Sequence, residues 1–234
     1  MLIRILGTRG EVEPSIPYHS KHSGMLVDGT LLFDLGEKEF LDWQPKSVFI
    51  THLHPDHAFF VRERGQIEIS VPMYAPRNYE NGLTTMLSYT VQVDRYRVTP
   101  IPTHHSKLED SQAYLIEDGE TRLLYTGDMV WINKEYHDLF RGVALVVTDG
   151  SYLRKGGMIR KDKNTGQIYG HAGVPNLINL FKECTRHILF VHFGSWFYDG
   201  ADAARRKLRQ LGRENGVNVV AGYDGLEMRV DDLP

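Results

Sequence analysis

The segment Ser47-Val48-Phe49-Ile50-Thr51-His52-Leu53-His54-Pro55-Asp56-His57 couples an apolar run to three histidines and an aspartate packed into six positions. The β-branched and aromatic residues predict a strand ending at Ile50, and Pro55 predicts a turn. The four polar side chains therefore fall on a strand-to-helix loop at the rim of a sheet. That rim is where α/β sheets keep their chemistry. Alternation along the extended part puts His52 and His54 on one side, whereas Asp56 and His57 lie around the turn and can face a second ion. Imidazole nitrogen and carboxylate oxygen are ligands of zinc, with manganese or iron as substitutes, and no thiolate is offered. The spacing suits two ions about 3.5–4 Å apart.

Composition limits what surrounds this loop. The 234 residues fit one domain with a sizeable core, and 41% hydrophobic and 11% aromatic content is ordinary for a soluble globular protein. Lysine plus arginine total 27 against 30 acids, and the net charge of −3 gives no global sign of nucleic-acid binding. Cys184 is the single cysteine, so no internal disulfide can form, and a reducing compartment is expected. The chain enters an apolar strand directly from Met1, without a signal peptide's basic start, and no apolar run approaches 18 residues. The expected location is cytoplasmic, with no membrane partner.

Outward from the loop, strands are expected over residues 2–6, 25–27 and 31–34, the last two joined at Asp28-Gly29 by a type I′ turn. Helices are expected near Glu37 and over 57–64, and short strands over 67–69 and 71–74. A further strand is expected over 113–117, and strands over 122–125, 143–148 and 186–191 carry the chain to Asp128, Asp149 and His192. Thr103-His104-His105-Ser106 follows an extended segment on the same expected rim, and alternation lets only one of that histidine pair point inward. Gly170-His171-Ala172-Gly173 opens an amphipathic helix over 174–184, and a basic amphipathic helix is expected over 201–214. Residues 151–170 read as a mobile loop in which Arg154, Lys155, Arg160, Lys161 and Lys163 face only one acid, Asp162. Such a loop suits phosphate oxygens as well as it suits plain solvation. His19, His22, His137 and His187 have no motif around them and read as surface or packing residues.

The H-x-H-x-D-H motif, its place after a strand and the motifs behind it resemble the metallo-β-lactamase-fold hydrolase superfamily over nearly the whole chain. The resemblance implies an α/β (α+β) fold, a four-layer αββα sandwich over residues 1–234, with the site along one edge. It implies that His52, His54 and His105 bind one metal, that Asp56, His57 and His192 bind a second, and that Asp128 in Thr126-Gly127-Asp128 bridges both. The family's His-Ser motif selects His105 over His104. Asp34 in Leu-Phe-Asp-Leu-Gly resembles the first motif, whose carboxylate supports the histidine loop; a strand-end Asp can cap the following helix as well.

Asp149, followed by Gly170-His171, resembles the phosphodiesterase and ribonuclease Z-like branch, in which such a pair assists proton transfer to the leaving oxygen. Asp149 stands where the transfer-RNA-processing members carry glutamate. Those members also insert a long substrate-gripping arm between the third and bridging motifs, and only 23 positions separate His105 from Asp128. The flavodiiron relatives carry a glutamate at the position of His54. The implied catalytic set is Asp56, Asp149 and His171, with two divalent ions, zinc first and Mn2+ or Fe2+ as alternatives. The implied activity is hydrolysis of a phosphodiester by a hydroxide bridging the metals. Its substrate would be a nucleotide, a cyclic phosphate or a nucleic-acid end, and a homodimer is one expected assembly. A lactonase or thioesterase of the same fold is the alternative, and a non-catalytic metal-binding protein the third reading.

Overall fold

The computed structural model describes residues 1–62, 69–79 and 82–233. The chain runs through β1 (Leu2–Gly7), β2 (Gly24–Val27), β3 (Leu31–Phe33), β4 (Ser47–Phe49), β5 (Met73–Ala75) and β6 (Thr85–Met86). Then come β7 (Val91–Val93), β8 (Tyr96–His104), β9 (Ser111–Glu117), β10 (Arg122–Tyr125), β11 (Trp131–Ile132) and β12 (Leu145–Asp149). β13 (Met158–Lys161), β14 (Ile168–His171), α1 (Val174–Phe181), β15 (His187–Val191), α2 (Ser195–Tyr198), α3 (Ala201–Glu214), β16 (Asn218–Ala221) and β17 (Glu227–Arg229) complete it.

Two mixed sheets face each other. The first has the order β17-β1-β2-β3-β4-β5-β6, and the second the order β11-β8-β9-β10-β12-β15-β16, with β7 also paired to β8. Period-two alternation explains how they stack. Ile3, Ile5, Val27, Phe33 and Phe49 of the first sheet share one buried cluster with Val98, Tyr114, Tyr125, Val147 and Leu189 of the second. The intervening residues turn outward: Leu26, Leu32 and Val48 pack beneath Phe40 and Phe60. Leu124, Val146 and Phe190 pack beneath α1 and α3. The parallel strands β10, β12 and β15 are thus apolar on both faces, as their continuous hydrophobic runs require.

The outer layers are built differently. α1 buries Val174, Leu177, Ile178 and Phe181, which lie on one helical stripe. Each large apolar side chain so covered contributes about 1.5–3 kcal/mol. α3 buries Ala204, Leu208 and Gly212 and leaves Arg206, Arg209 and Arg213 in water, while Arg205 turns toward His19. On the other side the cover consists of 3-10 turns at Lys38–Trp43 and Phe59–Val61. The four-layer αββα sandwich is present, and its layer over the first sheet carries no α-helix among the described residues.

Two expectations change here. The helix expected over 57–64 is a single 3-10 turn as far as the described residues extend. The backbone of Leu35 takes His57 O and gives its own carbonyl to Phe59 N, so these groups cannot start a helix. The expected strand over 67–69 and the end of that helix fall partly outside the described residues. Within 151–170, expected as a loop, Met158–Lys161 pairs with Ile168–His171 as the antiparallel hairpin β13–β14. No helix among the described residues is long and apolar enough to cross a membrane.

Candidate metal centre

Six strand ends deliver polar side chains to one edge of the sandwich. The loop after β4 is set by Asp34, which adopts left-handed backbone angles at the end of β3 (φ 59°). Its carboxylate accepts Thr51 N at 2.7 Å, Thr51 Oγ1 at 3.0 Å, Tyr125 OH at 2.9 Å and His57 Nδ1 at 2.7 Å. With Nδ1–H committed to Asp34, the lone pair of His57 lies on Nε2, which faces Asp128 Oδ1 at 3.3 Å. Gly127 closes the opposite side. It has φ 57°, and a Cβ there would sit 2.4 Å from Thr51 Oγ1, so this turn admits only glycine.

His52, His54 and His105 each offer one nitrogen to a common point, with all three atoms within 4.8 Å of one another. His105 donates Nδ1–H to Gly170 O at 2.9 Å, which directs Nε2 toward His54 Nδ1, 3.2 Å away. Asp56, His57, Asp128 and His192 form a second group on the same criterion, and every member is buried. His192 also takes left-handed angles, φ 54°, a strain that proteins tolerate mainly at functional positions. Its ring contacts Asp56 Oδ2 through Nε2 at 2.9 Å and Ser151 Oγ through Nδ1 at 2.8 Å.

The donors fit divalent cations on two counts. His52 Nε2 and Asp128 Oδ1 are buried without a hydrogen-bond partner, an arrangement that is costly unless a ligand completes it. The carboxylates of Asp34, Asp56, Asp128 and Asp149 are buried together and need positive charge. The protonation equilibria reflect that need. Burial opposes charge on His192, but Asp128, Asp149 and Asp56 outweigh it and push its pKa up to about 10. His57 is likewise raised, burial being overcome by Asp128, Asp34 and Asp56. In the all-imidazole group burial wins: His52 is held well below its ordinary value, and His105 falls to about 4 although Asp128 opposes this. That group presents neutral imidazoles, whereas in the other the buried carboxylates favour the charged form of His57 and His192.

Beside both groups lies Asp149, at the end of β12. Its Oδ2 accepts His171 Nδ1–H at 2.7 Å, and its Oδ1 accepts Ser151 N at 2.8 Å. The side chain of an aspartate therefore reaches the histidine without difficulty. Burial disfavours charge on His171, but Asp149 and Asp128 prevail and raise its pKa. His171, His54, Asp56, Asp128, His192, Tyr152 and the Gly10-Glu11-Val12 segment line a cavity of about 370 Å³. That volume is in the range of small-ligand sites.

All nine side chains singled out from the sequence stand at this edge. His104, the rejected neighbour of His105, turns away and meets Asn133 Oδ1 at 2.9 Å. Sequence reasoning missed Thr51, Tyr125 and Ser151, which orient His57 and His192. Only their adjacency to Asp149-Gly150 or His52 hinted at Ser151 and Thr51, and nothing local marked Tyr125. Among the remaining histidines, His19, His22 and His187 are buried and His137 is partly so.

Residues 41–193 match the model of the Beta-lactamase superfamily domain, and the chain belongs to that family. A search of curated proteins returns no match. Among solved structures, the metallo-beta-lactamase fold protein YhfI from Bacillus subtilis aligns over 97% of this chain and 99% of its own, with 16% identity and a TM-score of 0.71. A diphosphatase from the PhnP family aligns over 97% of both chains, with 16% identity and a TM-score of 0.65. The short form of human tRNase Z aligns over 98% of this chain and 99% of its own, with 15% identity and a TM-score of 0.65. These likenesses establish the metallo-β-lactamase fold.

Proposed function

We propose that this member of the β-lactamase superfamily is a metal-dependent phosphodiesterase acting on a nucleotide, a cyclic phosphate or a nucleic-acid end. The observation that carries the reading is the 2.7 Å bond from His171 Nδ1 to Asp149, on the wall of the cavity that His54, Asp56, Asp128 and His192 also line. His52, His54 and His105 hold one divalent cation, Asp56, His57 and His192 hold another, and Asp128 serves both; zinc is the expected ion, with manganese or iron able to replace it. When bound, such ions polarise a phosphoryl oxygen and acidify water at neutral pH.

The chain's own part is positioning and proton transfer. Asp149 holds the His171 ring through Nδ1, leaving Nε2 to give a proton to the departing alkoxide. Ser151 N fixes the other oxygen of Asp149, so the acceptor cannot swing away. Ser151 Oγ meets His192 Nδ1 at 2.8 Å and holds that ring, so that Nε2 faces Asp56 and the cation the two would share. The names of two solved neighbours, a diphosphatase and a tRNase, point toward phosphate esters as well.

The test compares leaving groups, using zinc- and manganese-reconstituted wild type and His171→Ala with metal content checked. p-Nitrophenolate leaves without a proton, whereas a ribose alkoxide needs one. We expect His171→Ala to lose about 10²–10⁴-fold on a dinucleoside phosphate and much less on bis(p-nitrophenyl) phosphate, with metal retained. Equal losses on both substrates would remove the proton-donor role. Hydrolysis of a lactone or thioester with neither diester cleaved would transfer the protein to the lactonase and thioesterase reading.

A further inference from the structure

The β13–β14 hairpin extends away from the cavity, and the chemistry above uses only its last residue, His171. Its register pairs Met158 with His171, Ile159 with Gly170, Arg160 with Tyr169 and Lys161 with Ile168. Directly paired residues share a face, and the next pair takes the other. Met158, His171, Arg160 and Tyr169 therefore form one face. Contacts agree with this: Arg160 reaches Met158 Sδ at 3.8 Å, and the cavity residue Tyr152 donates its hydroxyl to the same sulfur at 3.3 Å. The other face turns Ile159 and Ile168 into a separate groove against α1. One guanidinium and one aromatic ring thus stand about 7 Å beyond the proton donor, on the donor's own face.

The hairpin is held at both ends. Gly170 N donates to His105 O at 2.6 Å while His105 Nδ1 donates to Gly170 O, which ties the base to the metal-centre histidine. Near the tip, Gln167 Nε2 donates to Ser106 O at 3.1 Å, and Lys107 pairs with Asp162. Asp162 also accepts Asn164 N and Thr165 N, each at 2.8 Å. The one acid of the segment is therefore occupied. Arg154, Lys155, Arg160, Lys161 and Lys163 have no ion-pair partner among the described residues, and all five are exposed. In a chain of net charge −3 these five cations cluster on and beside the hairpin, with Arg160 on the face of His171, Lys161 on the face of Ile168 and Lys155 in the groove against α1. Uncompensated surface cations of this kind answer to a chain of phosphates.

We propose that the hairpin is a docking arm for a single-stranded nucleic-acid end, in which Arg160 binds a phosphate and Tyr169 stacks on a base of the nucleotide next to the scissile bond. The inference rests on the phosphodiesterase reading and selects one of its substrates. A cyclic phosphate ends inside the cavity and leaves the arm unused, whereas a strand crosses it. Single strands expose the base faces that an aromatic side chain stacks on.

The test is fluorescence anisotropy of a labelled phosphorothioate single strand of about ten nucleotides, chosen to slow hydrolysis and within the usual range of site sizes. The metal-loaded protein is compared with Arg160→Ala, Tyr169→Ala, Tyr169→Phe and, on the solvent face of α3, Arg206→Ala. Arg160→Ala and Tyr169→Ala should each weaken binding about tenfold, Tyr169→Phe and Arg206→Ala less than twofold. Arg160→Ala should also lower the slope of log affinity against log salt by about 0.7. Equal weakening by Arg206→Ala and Arg160→Ala, unchanged binding in both hairpin alanine variants, or tighter binding of a duplex would overturn the proposal. Hydrolysis of bis(p-nitrophenyl) phosphate keeps the two readings apart. Hairpin-dependent binding with no diester cleaved sinks the phosphodiesterase and keeps the arm; cleavage with no strand bound sinks the arm alone.

Discussion

Two buried polar networks in this molecule use the same residue types and come to opposite ends. In one, Arg205 donates to His19 Nε2 at 2.7 Å, His19 Nδ1 meets Thr8 Oγ1 at 2.9 Å, and Thr8 donates to Asp224 Oδ1 at 2.7 Å. Asp224 Oδ2 then accepts Ser20 N and Lys21 N. The relay begins on a cation, ends on an anion and, among the described residues, leaves none of its buried side-chain atoms unpaired. It ties the N-terminal loop to α3 and to the turn before β17. The metal centre gathers more carboxylates than it has fixed cations, and it leaves His52 Nε2 and Asp128 Oδ1 without a hydrogen bond. A closed network holds the fold together, whereas an open one holds a ligand.

This contrast can be broken in four places. The largest effect belongs to Asp128→Ala, which removes the carboxylate that faces His52 and His105 through one oxygen and His57 and His192 through the other. Elemental analysis should show metal lost and diester hydrolysis should fall at least ~10³-fold, more than a single positioned catalytic group usually supplies. Full metal content in that variant would dissolve the distinction. Asp34→Asn keeps the shape but weakens the hold on His57 and Thr51. We expect metal affinity to drop about 10–100-fold in competition with a chelator.

Asp224→Ala should do the reverse, costing about 1–2 kcal/mol in urea unfolding while metal affinity stays put. Metal loss there would mean that the two networks are one.

The smallest effect is a pH slope. Burial, aided by Arg205 and opposed by Asp224, lowers the pKa of His19 from 6.5 to about 4. The unfolded chain then binds the proton more tightly than the folded one between those values. The contribution of His19 is whole above pH 6.5 and is lost as pH falls toward 4. Unfolding of wild type and His19→Gln across that window should show the shallower pH dependence in the variant, and parallel curves would refute the assignment.

Much of the centre was legible as residue types at set distances from strand ends. H-x-H-x-D-H follows an apolar run, and Asp128, Asp149 and His192 each close or follow another. Alternation admits only one of His104 and His105, the resemblance to the family's His-Ser motif picks His105, and the structure turns His104 toward Asn133. His19 was not legible. A lone histidine in a polar, proline-containing loop carries no local sign that Arg205 and Asp224, some two hundred positions away, will enclose it. The hairpin over 151–170 was missed for a related reason. Its strands are short and basic, so their pattern resembles a loop, and their order comes from His105, Ser106 and Lys107 on another connection.

The sequence by itself determined the sandwich's apolar alternation and the kinds of donor atoms placed at its rim, because both follow from neighbours a few residues apart. Only the tertiary structure decided which nitrogen of each histidine is free, which carboxylates share a burial site and which charges stay uncompensated. Those depend on hydrogen bonds between segments far apart in the chain, from Asp34 to Tyr125 and from His105 to Gly170. Spacing along one strand cannot encode a partner that arrives from another.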